Sequence, residues 1–173
     1  MDASTPHVDL RELALRTGET WERTYPLEMP PVVLGGTPYE VVVADGVTLS
    51  AARVAGGFLV AVHLSANLYG PCERCLKEVA LSVEADQEEF VPTAEDRWEE
   101  SEFSEFIVDL VVDVKALARE ALVLALPTQI VCSPECLGLC ARCGKDLNLG
   151  PCGCEAQGGD ERWERLRQLK LDS

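Results

Sequence analysis

The chain has 173 residues, of which 47% are apolar, and carries a formal net charge of −15. That length suits one domain with a small appended module. The acidic excess argues against a broad electropositive face that follows nucleic-acid phosphates, and favours basic proteins or a local basic patch as points of contact.

The opening stretch has no basic start followed by an apolar run, so it reads as neither a secretory signal nor an anchor. No later segment reaches about eighteen uninterrupted apolar residues, so no membrane span is expected. Asp9 can cap a short helical turn, "LRELAL", which Gly18 would close. Trp21, Tyr25 and Leu27 alternate weakly, and Pro26 and the pair Pro30-Pro31 break the pattern. "YEVVVA" (39–44) and "VTLSAARVA" (47–55) flank Asp45-Gly46, and "FLVAVHLSANLY" (58–69) follows Gly56-Gly57. Glycine turns between alternating runs read as hairpins, hence a meander. In the last of these runs Phe58, Val60, Val62, Leu64, Ala66 and Leu68 share one face. The alternation resumes in 78–90 through Val79, Leu81, Val83 and Ala85, which places Cys72 and Cys75 at a hairpin tip.

Residues 84–105 carry ten acidic residues and one basic residue, Arg97, and read as a solvated, mobile loop. The clearest helix is expected over 107–126, where Ile107, Leu110, Val111, Val114, Leu117, Ala118, Ala121, Leu122 and Ala125 recur at helical spacing before Pro127. It would cover one face of the sheet. "DERWERLRQLK" (160–170) reads as a short last helix, and no internal repeat of useful length is expected. The predicted class is α+β: an antiparallel β-meander sheet covered by one main helix, with a C-terminal Cys-rich, zinc-ribbon-like module. The expected division is a β-rich domain over 1–128 and a zinc-binding module with the short helix over 129–173.

Eight cysteines in a chain expected to be cytosolic are not expected to form a disulfide scaffold, because that compartment keeps thiols reduced. Their spacing suggests metal ligands instead. Zinc takes four soft ligands in a tetrahedron, and Cys-x-x-Cys supplies two of them from one turn. Cys72/Cys75 and Cys140/Cys143 are such half-sites; Gly144 follows the second and relieves its turn. Between Cys132 and Cys136, Ser133 can cap and Pro134 can open a single helical turn that Gly138 ends. Cys152 and Cys154 flank Gly153. Neighbourhood in sequence pairs Cys140/Cys143 with Cys152/Cys154, which leaves Cys72/Cys75 to meet Cys132/Cys136. Two structural zinc ions are expected, since catalytic zinc keeps an open position, usually beside His or carboxylate ligands. An iron–sulfur cluster is also compatible with four cysteines. Arg74, Lys77, Arg142 and Lys145 decorate the two knuckles. They can offset thiolate charge or form a small phosphate-contacting RNA patch. His63 reads as a surface residue and His7 as part of a frayed terminus. No catalytic constellation is present in the sequence.

With these residues in hand, the chain resembles the YceD-like family, the large ribosomal RNA subunit accumulation proteins. The resemblance rests on "CERCL", "REALVLALP", "CSPECLGLCARCGKDLN", "CGC" and the closing "DERWERLRQL". It covers nearly the whole chain, although residues 1–57 match only in general character. Some members of that family are poorer in the later cysteines, which fits a separable second site. The resemblance implies a cytoplasmic role in assembly of the large ribosomal subunit and accumulation of its 23S rRNA. The expected partners are a large-subunit ribosomal protein, the 23S rRNA precursor, or both, with no membrane and no small-molecule substrate. The competing expectation is a redox-switched zinc chaperone. A thioredoxin-like enzyme fails on context, because neither Cys-x-x-Cys opens a helix within a βαβ unit.

Overall fold

The structure is a computed structural model that describes residues 6–93 and 104–154. The expected helix over 160–170 lies outside the described residues, as do residues 94–103 of the acidic stretch. The strands are β1 (His7–Asp9), β2 (Thr20–Tyr25), β3 (Val32–Leu34), β4 (Thr37–Val54), β5 (Gly57–Pro71), β6 (Glu78–Pro92), β7 (Ile107–Val108) and β8 (Val111–Asp113). One helix, α1 (Val114–Ala125), and a 3-10 turn over Leu147–Leu149 complete the described elements. The main sheet is antiparallel, in the order β2-β4-β5-β6, with β3 paired to the start of β4. A smaller sheet has the order β1-β8-β7.

Alternation along β5 sorts its two faces. Phe58, Val60, Val62, Leu64, Ala66 and Leu68 are all buried and join Val47, Leu49 and Ala51 of β4 and Val83 and Ala85 of β6 in one core. Helix α1 packs against β4, β5 and β6 and adds Val114, Leu117, Ala118, Ala121 and Leu122 to that core. The antiparallel sheet and its one main helix agree with the predicted class. No helix among the described residues is long and apolar enough to cross a membrane.

Several local expectations are corrected. Asp45-Gly46 is not a hairpin turn, because β4 runs through it as one strand with a register shift between Val43 and Val47. Val43 pairs with Ala66 and Val47 with Leu64, so the bulge keeps both valines in phase with the core face of β5. Gly46, at φ 86°, sits where a Cβ would come within 2.6 Å of the Tyr25 carbonyl oxygen. A glycine supplies a bulge as readily as a turn.

The predicted helix over 107–126 is shorter at its front. Ile107–Val108 and Val111–Asp113 form a tight hairpin through Asp109 and Leu110, both at positive φ (50° and 62°). The helix begins at Val114, where the Asp113 carboxylate accepts the Ala116 N–H at 3.0 Å as N-cap. β-Branched residues at 107, 108, 111 and 112 suit strands, and their spacing happens to continue the helical stripe.

The stretch 10–15 is likewise a turn and not a helix: Asp9 accepts from the Arg11 N–H at 2.9 Å, and Ala14 has φ 50°. Gly18 closes no helix; its N–H donates to the Arg53 carbonyl at 2.8 Å. His7 is not frayed, since it lies in β1 opposite Asp113. Residues 84–92 belong to β6, so this part of the acidic stretch is strand and not loop.

Candidate metal centres

Strands β5 and β6 extend past the core and end in a six-residue tip, Cys72 to Lys77, closed by the Cys72 N–H donating to the Lys77 carbonyl at 2.7 Å. The segment after α1 returns along this tip. Glu73 N–H donates to the Ile130 carbonyl at 2.9 Å, and the Ile130 N–H donates to the Glu73 carboxylate at 3.3 Å. Cys132 and Cys136 arrive on either side of a turn in which the Cys136 N–H meets the Ser133 carbonyl. The expected helical turn at Ser133-Pro134 is therefore a simple turn.

Cys72, Cys75, Cys132 and Cys136 form one group, and Cys140, Cys143, Cys152 and Cys154 another, with the sulfurs of each group within 4.8 Å of one another. These are the two sets of four expected from neighbourhood in sequence. The Cys72–Cys136 and Cys75–Cys132 sulfurs are 3.9 and 3.6 Å apart. Disulfide sulfurs sit at about 2.05 Å. A tetrahedron with zinc–sulfur bonds of about 2.3 Å has edges of about 3.8 Å. The spacing fits four thiolates around one ion.

The two knuckles repeat one another as Cys-x-Arg-Cys-x-Lys, which is a six-residue repeat legible in "CERCLK" and "CARCGK". In the first, Leu76 N–H donates to the Cys72 carbonyl (2.9 Å) and Arg74 N–H to Cys72 Sγ (3.4 Å). In the second, Gly144 N–H donates to the Cys140 carbonyl (2.8 Å) and Arg142 N–H to Cys140 Sγ (3.4 Å). Gly144 has φ 72°, and its counterpart Leu76 takes φ 62°, a region costly for a leucine. Leu76 is also exposed. Leu76→Gly is therefore expected to raise the unfolding free energy by about 0.5–1 kcal/mol, read from denaturant midpoints at unchanged metal content.

The hydrogen bonds make each cluster receptive to a cation. Burial opposes ionisation of the Cys72 thiol, but N–H groups of Cys75, Cys132 and Arg74 outweigh it and bring its pKa down to about 6. The Arg142 and Cys143 N–H groups bring Cys140 down to about 6 as well. Cys132, hydrogen-bonded to Cys136 and Cys75, is pushed up to about 12, and Cys154 rises to about 12 through Cys143 and Cys152. Four crowded thiols cannot all ionise without a positive ion among them. The centres differ in burial: Cys72, Cys75 and Cys136 are buried and only Cys132 of the first is exposed, whereas Cys140, Cys152 and Cys154 are half-buried and Cys143 is exposed.

Three of the four basic residues considered for RNA contact are engaged within the chain. The Arg74 guanidinium donates to the carbonyls of Pro134 (3.2 Å) and Cys136 (3.1 Å) and to Gln129 Oε1 (3.1 Å). Lys77 Nζ is 2.6 Å from Asp146 Oδ2, and Lys145 Nζ donates to the Pro151 carbonyl at 2.9 Å. Arg142 sits on the exposed second knuckle. Sequence reasoning missed Asp146 and Asn148, and read Gly138 only as the end of a turn. Gly138, at φ 71°, lies where a Cβ would approach the Arg74 carbonyl to 2.8 Å. Gly138→Ala is expected to cost about 1–3 kcal/mol through backbone strain and that clash. Thermal unfolding of the metal-loaded protein measures it.

Outside the centres, the face of the sheet turned away from α1 is acidic. Register places Glu22, Ser50, Ala61 and Glu88 in one row and Thr24, Thr48, His63 and Asp86 in the next, with Glu84 beside Ser65. His63 lies at the surface, as expected, with Nδ1 2.7 Å from Asp86 and Nε2 3.8 Å from Glu84. Glu22, Ser50, His63 and Asp86 help line an open depression of about 450 Å³. Among the described residues of these rows there is no lysine or arginine.

The family described as large ribosomal RNA subunit accumulation protein YceD matches residues 60–170, a span that includes both cysteine groups. Uncharacterized proteins of Mycobacterium bovis and of two strains of Mycobacterium tuberculosis are 29% identical over 175 aligned residues, covering 96% of this chain and 82% of theirs. No solved structure matches the chain.

Proposed function

Because the chain belongs to the YceD family of large ribosomal RNA subunit accumulation proteins, we propose that it is a non-enzymatic, zinc-binding cytoplasmic factor. It supports accumulation of 23S rRNA and assembly of the large subunit by holding a basic ribosomal protein. The observation that carries the protein-binding part is the distribution of charge. The open sheet face presents Glu22, Glu84, Asp86 and Glu88 around the single imidazole of His63 and, in its described rows, no lysine or arginine, while Arg74, Lys77 and Lys145 are occupied by partners within the chain. Arg142 alone is a thin basis for phosphate contact, so direct capture of precursor rRNA ranks second.

Zinc is the metal that four thiolates at these spacings suit, and in this reading both ions are structural. Bound zinc would neutralise part of the thiolate charge and tie the β5–β6 tip to the module read here as residues 129–173. The residues that hold it are the eight cysteines, with the Arg74, Cys132 and Arg142 N–H groups donating to sulfur. A redox-switched chaperone is favoured by one feature, the exposure of one ligand in each centre, Cys132 and Cys143.

Affinity capture from growing cells, with RNA and protein both analysed at two salt concentrations, tests the reading. A basic large-subunit protein is expected in the eluate after ribonuclease treatment. Recovery of rRNA alone would favour the RNA reading. Rapid zinc loss to hydrogen peroxide with gain of holdase activity would favour the chaperone.

A further inference from the structure

The two centres are joined by a seam of polar contacts that neither cysteine set requires. Asp146 and Asn148 lie between Cys143 and Cys152, hence on the loop that the second centre closes. Both reach the first centre. Asp146 Oδ2 meets Lys77 Nζ at 2.6 Å, two residues beyond Cys75 on the first knuckle. Asn148 Nδ2 points to Cys136 Sγ at 3.6 Å and also donates to Asp146 Oδ1 at 2.7 Å. Asn148 Oδ1 accepts the Leu137 N–H at 2.9 Å, so one side chain grips both the thiol of Cys136 and the backbone just after it. Backbone contacts run alongside: Leu147 N–H to the Gly138 carbonyl (2.9 Å), Leu139 N–H to the Arg74 carbonyl (3.0 Å), and a β-bridge between Leu139 and Asp146.

This loop has little else to order it. Its only regular structure is the three-residue 3-10 turn Leu147–Leu149, in which no residue is buried. A segment with so little packing loses a large conformational entropy on being fixed, and a closure at both ends reduces that cost. Cys140/Cys143 and Cys152/Cys154 are those ends.

We propose that the second centre acts as a clamp on the first. When Cys140, Cys143, Cys152 and Cys154 share a metal ion, the intervening loop is held in place. Asn148 then supports the Cys136 ligand and Asp146 supports the Lys77 knuckle. Emptying the second centre frees the loop, and the first centre releases its metal sooner although none of its own ligands has changed. Asn148 and Asp146 are thus positioning residues for the first centre, supplied by the second. The inference rests on the zinc reading of both centres and adds an order of loss: second centre first, then first centre.

The test is a chelator challenge of the zinc-loaded full chain, followed by the absorbance of a zinc–pyridylazoresorcinol complex and by metal analysis. Wild-type protein is expected to carry two zinc ions and release them in two phases. Cys152→Ser with Cys154→Ser is expected to leave one ion, released about 10–100-fold faster than the slow phase of wild type, the range typical of lost outer-shell support. Asn148→Ala, which keeps all eight ligands, is expected to bind two ions yet speed the slow phase by about 10-fold or more. It should add little on top of the double cysteine variant, because both act through the same loop. Asn148→Asp turns a donor facing sulfur into an anion. In cobalt-loaded protein it should shift the thiolate charge-transfer band of one ion and leave the other unchanged. Two bound ions with a slow phase unaltered by Asn148→Ala would overturn the clamp and leave the zinc reading intact. A chain that takes up no metal would sink both.

Discussion

Cys75→Ser is expected to strip the first centre of its metal and to release the β5–β6 tip from residues 130–139. The four ligands of this centre come from two segments far apart in sequence, 72–75 and 132–136. A structural four-cysteine zinc site contributes on the order of 10–16 kcal/mol to ordering what it joins. Serine is a poor zinc ligand, and Cys75 is buried in a small cluster with Cys72 and Cys136, packed against Val79, Val131 and Leu139. That cluster is separate from the main core, so it has little apolar burial to fall back on. A loss of about 3 kcal/mol or more is expected, seen as a fall in Tm of roughly 6–12 °C or more for a chain of this size. Cys140→Ser should cost less. It opens a centre whose ligands are half-buried or exposed and whose loop is tied to the knuckle of the first through Asp146 and Lys77. Equal Tm losses in the two variants would contradict this ranking.

The second large effect concerns binding. Changing Glu22, Glu84 and Glu88 to Gln and Asp86 to Asn removes four negative charges from the open sheet face. Each exposed ion pair is worth about 0.2–1 kcal/mol, so four together give roughly 1–4 kcal/mol, or about five- to several-hundred-fold in Kd. The captured basic ribosomal protein should be lost in that proportion, more visibly at low ionic strength, with zinc content and Tm nearly unchanged. The side chains lie on the solvent side of the sheet, so the core is not touched. Unchanged capture by the quadruple variant would remove this face from the account and turn attention to residues 94–103.

How much of this was legible depended on the period of the signal. Strands β5 and β6 declared themselves because every second residue is apolar over a long run. The Asp45-Gly46 pair misled because a turn and a bulge call on the same residue types; only pairing with β5 decides between them. The front of the helix misled because Ile107, Leu110 and Val111 continue the helical stripe of Val114 while forming a two-stranded hairpin. Cysteine spacing carried both four-residue sets, since chemistry restricts which thiols can share an ion. Asp146 and Asn148 carried no such mark. Their partners, Lys77 and Cys136, lie on two other segments, the β5–β6 tip and the stretch after α1, and nothing in a single sequence brings them together. The roles of Arg74 and Lys77 changed for the same reason: the charges were visible, but the internal acceptors were not.

The ratio of 23S to 16S rRNA is the most direct measure of the central claim. It should be taken in cells that lack this protein and in cells whose only copy carries Cys72→Ser and Cys75→Ser. A lowered ratio and a build-up of large-subunit precursors are expected in both, restored by the wild-type chain. A normal ratio and a normal subunit profile after complete loss of the protein, across several growth conditions, would contradict that claim.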